Sequence, residues 1–141
     1  MLRLLLRRPS VLPVALAAGL LLAAPAAAQT YTGKLDAGDD RLTSGEYVDW
    51  YTVRAAPGQT LVIEMESTSD LDPYLLLRGP DGQDYDNDDA EPGDLVHSRI
   101  EFVVLTEGAF QVGATSYEPG ETGTYRVAVE VTGLPAGLID G

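Results

Sequence analysis

The feature that most constrains this chain is a period-two alternation of apolar residues, repeated in short runs. Leu61, Ile63 and Met65 alternate with Val62, Glu64 and Glu66; Ile100, Phe102 and Val104 repeat the pattern, as do Tyr125, Val127, Val129 and Val131. Successive side chains of a strand point to opposite sheet faces, so each run describes a strand with one buried face. No window holds a helical period of useful length. Further strands are expected at Tyr31 to Leu35, Tyr47 to Val53, Pro73 to Arg78 and Ala109 to Ala114. Turn chemistry separates them at Pro57-Gly58-Gln59, Pro80-Asp81-Gly82, Thr106-Glu107-Gly108 and Pro119-Gly120, where glycine permits positive φ and proline presets φ. About seven to eight strands at this spacing make an all-β fold, a single antiparallel β-sandwich.

The first residues have a different grammar. Arg3, Arg7 and Arg8 precede the almost wholly apolar run from Val11 to Leu22, and Ala26-Ala27-Ala28 before Gln29 meets the small-residue rule for signal peptidase. Residues 1–28 therefore read as a cleaved signal peptide. Pro13, Gly19 and Pro25 break the run, which falls short of the ~20 apolar residues a spanning helix needs. The mature chain is expected to be secreted or periplasmic, and not membrane-embedded. Without cysteine it has no lipid attachment point, disulfide or thiolate site. Residues 29–132 suffice for one domain with one core, and 133–141 are expected to be a flexible tail.

Charge narrows the choice of partner. The chain carries 9 basic and 22 acidic residues. Three of the basic ones leave with the signal, so the mature net charge is about −16. Nucleic acid and anionic membrane surfaces repel such a protein, while cations and basic protein patches attract it.

Four stretches, in order, carry a family resemblance: "EYVDWYTVRAAPGQTLVIEME", "LDPYLLLRGPDGQDYDNDD", "HSRIEFVVLTEGAFQVGA" and "TGTYRVAVEV". Together they resemble the bacterial pre-peptidase C-terminal domain from about Tyr31 to Val131. The resemblance implies a β-sandwich of jelly-roll type that is not itself a protease and that usually accompanies secreted peptidases. Here it is expected as a stand-alone exported domain, monomeric, binding a protein or a polysaccharide. The alternatives are a structural envelope protein without a specific ligand and a small hydrolase.

The residues argue against catalysis on their own account. His97 is the only histidine, and its neighbour Ser98 points to the opposite strand face, so the two cannot form the core of a Ser/His/Asp triad. A glycosidase would need two carboxyls facing each other across a cleft, and a small filled sandwich has little cleft.

The stretch "DYDNDDAEPGD", Asp84 to Asp94, is the candidate site, and it is expected as a loop at one end of the sandwich. An EF-hand reading begins well with Asp84, Asp86 and Asp88 at positions one, three and five. It fails at position six, where Asp89 replaces the required glycine, and at position twelve, where Leu95 replaces the bidentate glutamate. Calcium in a non-EF arrangement takes oxygen ligands of the kind offered by Asp72, Asp86, Asn87, Asp88 and Asp89, and some domains similar to this one bind it. A metal-free loop held by Arg99 on Asp88 or Asp89, and a plainly solvated acidic face, stand beside that reading. Asp72 joins the cluster only if the turn after Arg78 folds the chain back.

Tyr47, Trp50, Tyr51, Tyr74, Tyr85 and Tyr117 form a second candidate surface, a stacking platform for a polysaccharide or a protein strand. Tyr51 and Tyr125 fall in phase with buried positions, and Trp50 is expected to cover a sheet edge. Tyr85 and Tyr117, placed in loops, are the contact candidates.

Overall fold

The computed structural model describes residues 27–87 and 90–137. Nine strands follow one another along them: β1 (Ala27–Leu35), β2 (Asp40–Arg41), β3 (Tyr47–Ala55), β4 (Thr60–Ser67), β5 (Pro73–Arg78), β6 (Asp84–Asn87), β7 (His97–Val103), β8 (Gly108–Ser116) and β9 (Gly123–Thr132). They form two antiparallel sheets, of order β1-β9-β4-β7 and β2-β3-β8-β5-β6. Among the described residues there is no helix, and so none able to cross a membrane.

The period-two pattern sets the core. Leu61, Ile63 and Met65 of β4 and Tyr125, Val127 and Val129 of β9 face inward from the first sheet. Leu75 and Leu77 of β5 and Phe110, Val112 and Ala114 of β8 meet them from the second. Burying a Leu, Val or Phe side chain is worth about 1.5–3 kcal/mol, and the interdigitated rows supply most of the driving force. The four expected turn glycines, Gly58, Gly82, Gly108 and Gly120, all take positive φ. At Gly82, φ 79°, the chain reverses between β5 and β6, and Asp81 Oδ1 accepts from the Gln83 N–H at 3.2 Å.

Four features depart from the sequence reading. Two strands are new: β2 is too short to show periodicity, and β6 occupies the first four residues of the acidic stretch expected as a loop. β6 forms because β5 offers it a partner, in the register Leu75↔Asn87 to Arg78↔Asp84, and because Tyr85 packs inward on Phe102, ring centroids 4.5 Å apart. β1 begins at Ala27, earlier than expected, and pairs along all of β9 from Ala27↔Val131 to Leu35↔Gly123. The segment expected as a tail starts docked, with the Ala136 N–H bonded to Pro57 O at 2.5 Å. Residues 1–26 of the expected signal and residues 138–141 lie outside the described residues.

Candidate functional site

The acidic stretch sits at the junction of β6 and β7, and several of its charges have partners. Arg78, opposite Asp84 in the β5–β6 register, grips it with two bonds, Nε to Oδ1 at 2.8 Å and Nη2 to Oδ2 at 3.2 Å. This grip holds the Asp84 carboxyl below its usual range. Asp94 Oδ1 accepts from the backbone N–H of Val96 at 2.9 Å and of His97 at 3.0 Å, and its Oδ2 lies 3.1 Å from His97 Nδ1. The Val96 amide is the main reason Asp94 is lowered, with His97 adding to it. Asp94 thus fixes the entry into β7 as a turn-capping aspartate.

The proposed calcium ligands are partly placed. The β5–β6 hairpin does fold back, so Asp72, just before β5, and Asn87, at the end of β6, share one end of the sheet. Asp72 is integrated into the β8–β9 connection: its N–H donates to Glu121 Oε1 at 3.1 Å and its carbonyl accepts from the Tyr117 N–H at 3.0 Å. Asp86 is opposite Leu76 in β6, and Asp88 and Asp89 lie outside the described residues. Among the described residues no group of three or more carboxylates or imidazoles is arranged to hold a metal. Arg99, the expected anchor for Asp88 or Asp89, bonds Glu64 Oε1 at 3.2 Å and Glu101 Oε2 at 2.8 Å. The register predicts the first pair, since Glu64 faces Arg99 across β4 and β7.

Beside Asp94, a hollow of about 290 Å³ opens on the outer face of the four-stranded sheet, lined by Glu64, Glu66, His97, Arg99 and Arg126. Its charges are matched across strands, Arg99 with Glu64 and Arg126 with Glu66, and within β7, Arg99 with Glu101. His97 is exposed at the start of β7, whereas Ser98 is 0% exposed on the inner face. Both border this hollow, and the alternation along β7 sets their side chains on opposite faces of the strand. Leu95 and Val96, 64% and 45% exposed, project at the same end.

A polar cluster between the sheets escaped the sequence reading. Tyr125 Oη donates to Asp49 Oδ2 at 2.5 Å and lies 2.5 Å from Tyr51 Oη. Burial raises the Asp49 carboxyl above its usual value; the Tyr125 hydroxyl opposes this, and Asp39, Asp36 and Asp40 add to it. Burial, reinforced by Asp49, also pushes the Tyr125 hydroxyl far up, so it stays protonated and donates. Tyr31 stacks on Tyr51 with centroids 4.4 Å apart. Tyr125 fits against β1 because its partner there is Gly33, where a Cβ would come within 2.3 Å of Tyr125 Oη. The signal was available: Asp49 shares the odd-numbered phase of Tyr47, Tyr51 and Val53, which marks an inward position.

The other aromatics divide by face. Trp50 lies over Gly113 on the outer face of the five-stranded sheet, between β3 and β8, and not at an edge as expected. The absence of a side chain at Gly113 makes room for the indole, since a Cβ there would sit 2.8 Å from the ring. Tyr85 is a strand residue packed against Phe102, which removes it as a loop contact. Tyr117 is 52% exposed and 6.5 Å from Tyr74, centroid to centroid.

With this geometry in view, the family is settled by a match between residues 47–131 and the bacterial pre-peptidase C-terminal domain. The chain belongs to that family. No curated protein is a significant match. Among solved structures, the chain is similar to PliG of Aeromonas hydrophila, a periplasmic inhibitor of g-type lysozyme: TM-score 0.55, 17% identity, covering 79% of this chain and 91% of that one. The pre-peptidase C-terminal domain of a Bacillus anthracis collagenase gives TM-score 0.55 and 18% identity over 72% and 87%. Salmonella Typhimurium PliG, also a periplasmic g-type lysozyme inhibitor, gives 0.52 and 15% over 74% and 87%. These likenesses establish the sandwich as a shared fold.

Proposed function

We propose that this pre-peptidase C-terminal domain is an exported, non-catalytic binding module whose partner is a cationic protein. One observation carries the reading: four of the six basic side chains beyond residue 28 are engaged locally, so the surface left for a partner is predominantly acidic. Arg78, Arg99 and Arg126 are paired with carboxylates of their own sheets, and Arg41 lies over the Tyr47 ring, 4.7 Å from its centroid. Acidic side chains outnumber basic ones by more than two to one, so many carboxylates remain to set the field that a basic partner meets. PliG, which shares the fold, works in the periplasm on a protein target. The opposite placement of His97 and Ser98 supports the non-catalytic half of the reading.

Immobilised mature protein exposed to the exported fraction of its source cells tests this. Retention of basic proteins that are released by salt is expected. Hydrolysis of peptide, ester or glycan substrates that vanishes in His97→Ala would instead establish an enzyme.

Calcium at Asp72, Asp86, Asn87, Asp88 and Asp89 is a separate proposal with its own test. An ion that binds only the native state stabilises it by about 2.7 kcal/mol at a hundredfold excess over Kd. Millimolar calcium is therefore expected to raise the melting temperature above that in EDTA, and Asp88→Asn to remove the increment. Equal melting in the two conditions excludes the ion and leaves the loop to its hydrogen bonds.

A further inference from the structure

The β2–β3 turn and the β8–β9 connection enclose a hollow of about 330 Å³ on the outer face of the five-stranded sheet. Leu42, Ser44 and Glu46 line it from the turn, Tyr74 and Leu76 from β5, and Tyr117 from the β8–β9 connection. We propose that this hollow receives a single arginine or lysine side chain of the partner. The inference rests on the reading of the partner as a cationic protein.

The walls are fixed before any ligand arrives. The turn closes on itself through Leu42 N–H to Glu46 O at 2.8 Å and Gly45 N–H to Leu42 O at 3.0 Å. The Gly120 N–H then ties the β8–β9 connection to Gly45 O at 3.2 Å. Gly45 holds φ 110°, and a Cβ there would press on Pro119 at 3.2 Å, so glycine permits both the turn and the docking. Glu121 fastens the opposite side, accepting from the N–H groups of Asp72 and Glu118.

The chemistry of the lining selects a cation. Glu46 is its one carboxylate, steadied by the Ser44 hydroxyl donating to Oε2, and the lining contains no base. Glu118 and Glu121 next to it add to the negative potential. Arg41, the cation nearest in sequence, is turned away onto Tyr47, its Nη2 donating to Tyr47 Oη at 2.8 Å. The faces of Tyr74 and Tyr117 suit a guanidinium or ammonium, which an aromatic quadrupole attracts within ~6 Å of the ring centroid. The hollow is at the small end of ligand sites, which run to about 300–1,000 Å³, and suits one long side chain better than a glycan chain.

Titration of the mature protein, followed through its amide NMR signals, separates the outcomes. The probes are Nα-acetyl-arginine amide, Nα-acetyl-lysine amide, uncharged Nα-acetyl-norleucine amide and a chitin oligosaccharide. The basic probes are expected to move signals of the Leu42 to Glu46 turn and of Tyr74, Thr115 and Tyr117, and norleucine to leave them in place. Glu46→Gln, whose unchanged spectrum elsewhere reports the fold, should weaken the basic probes about tenfold, and Tyr117→Ala several-fold. Response to the oligosaccharide alone, perturbation elsewhere, or indifference to Glu46→Gln would overturn the assignment. If a basic protein binds the domain but ignores Glu46→Gln, the hollow fails while the partner reading stands. If no basic protein binds while the basic probes still titrate the hollow, the partner reading fails and the site stands.

Discussion

Asp49 and Asp94 contribute to stability with opposite signs. Asp49 has a folded pKa above its unfolded value, so between the two the native state holds more protons than the unfolded chain. Stability from this group falls as pH rises through that window, and the ionised carboxylate weakens the fold at neutral pH. Asp49→Asn keeps an oxygen for the Tyr125 hydroxyl, and is expected to raise the melting temperature at pH 7 and flatten its dependence above the ordinary aspartate range. A lower melting temperature at pH 7 would show the carboxylate to be a net stabiliser. Asp94 is lowered, so its contribution is present above its unfolded pKa and is lost as pH falls through the folded value. Asp94→Ala should lower melting at neutral pH and narrow the gap at acid pH, as followed by circular dichroism. At this scale the sequence was only partly legible. The alternation marked Tyr51 and Tyr125 as inward, but a carboxylate in the same phase is visible only to a reader who trusts the period over residue type.

At the scale of elements, the long strands announce themselves because each repeats an apolar residue at every second position. β2 and β6 do not, since a strand of two residues has no period and β6 has Tyr85 as its single apolar residue. Both exist because a stronger neighbour offers them backbone partners, a tertiary effect that no local pattern carries. The tightest packing between strands is equally hidden: Gly33 and Gly113 look like weak points in the sequence, yet each makes room for an aromatic ring. Gly33→Ala forces a methyl into Tyr125 and should cost about 1–3 kcal/mol in denaturant unfolding. Phe110→Ala, which empties the centre of the core, should cost about 3–5 kcal/mol. A Gly33→Ala cost near zero would show that the Tyr125 cluster can move aside freely.

For the whole molecule, fold class and family were both legible from strand spacing and the four family stretches, and net charge was legible from composition. The distribution of that charge was not, because it depends on register: Glu64 meets Arg99 and Glu66 meets Arg126 only once β4, β7 and β9 are aligned. Export has a direct check, since intact mass of the mature protein is expected to place its N-terminus at Gln29. Such a product would keep β1 from Gln29 onward and lose its first two residues, Ala27 and Ala28. The central claim, that the acidic surface serves to bind a cationic protein, is tested most directly by calorimetric titration of the mature domain. The titrants are a panel of basic exported proteins, a basic g-type lysozyme among them, paired with acidic proteins of similar size, at low and physiological salt. The account predicts saturable binding of at least one basic protein, weakened by salt, and none of the acidic set. Absence of binding across the basic panel at both ionic strengths, or equal binding of acidic proteins, would contradict it.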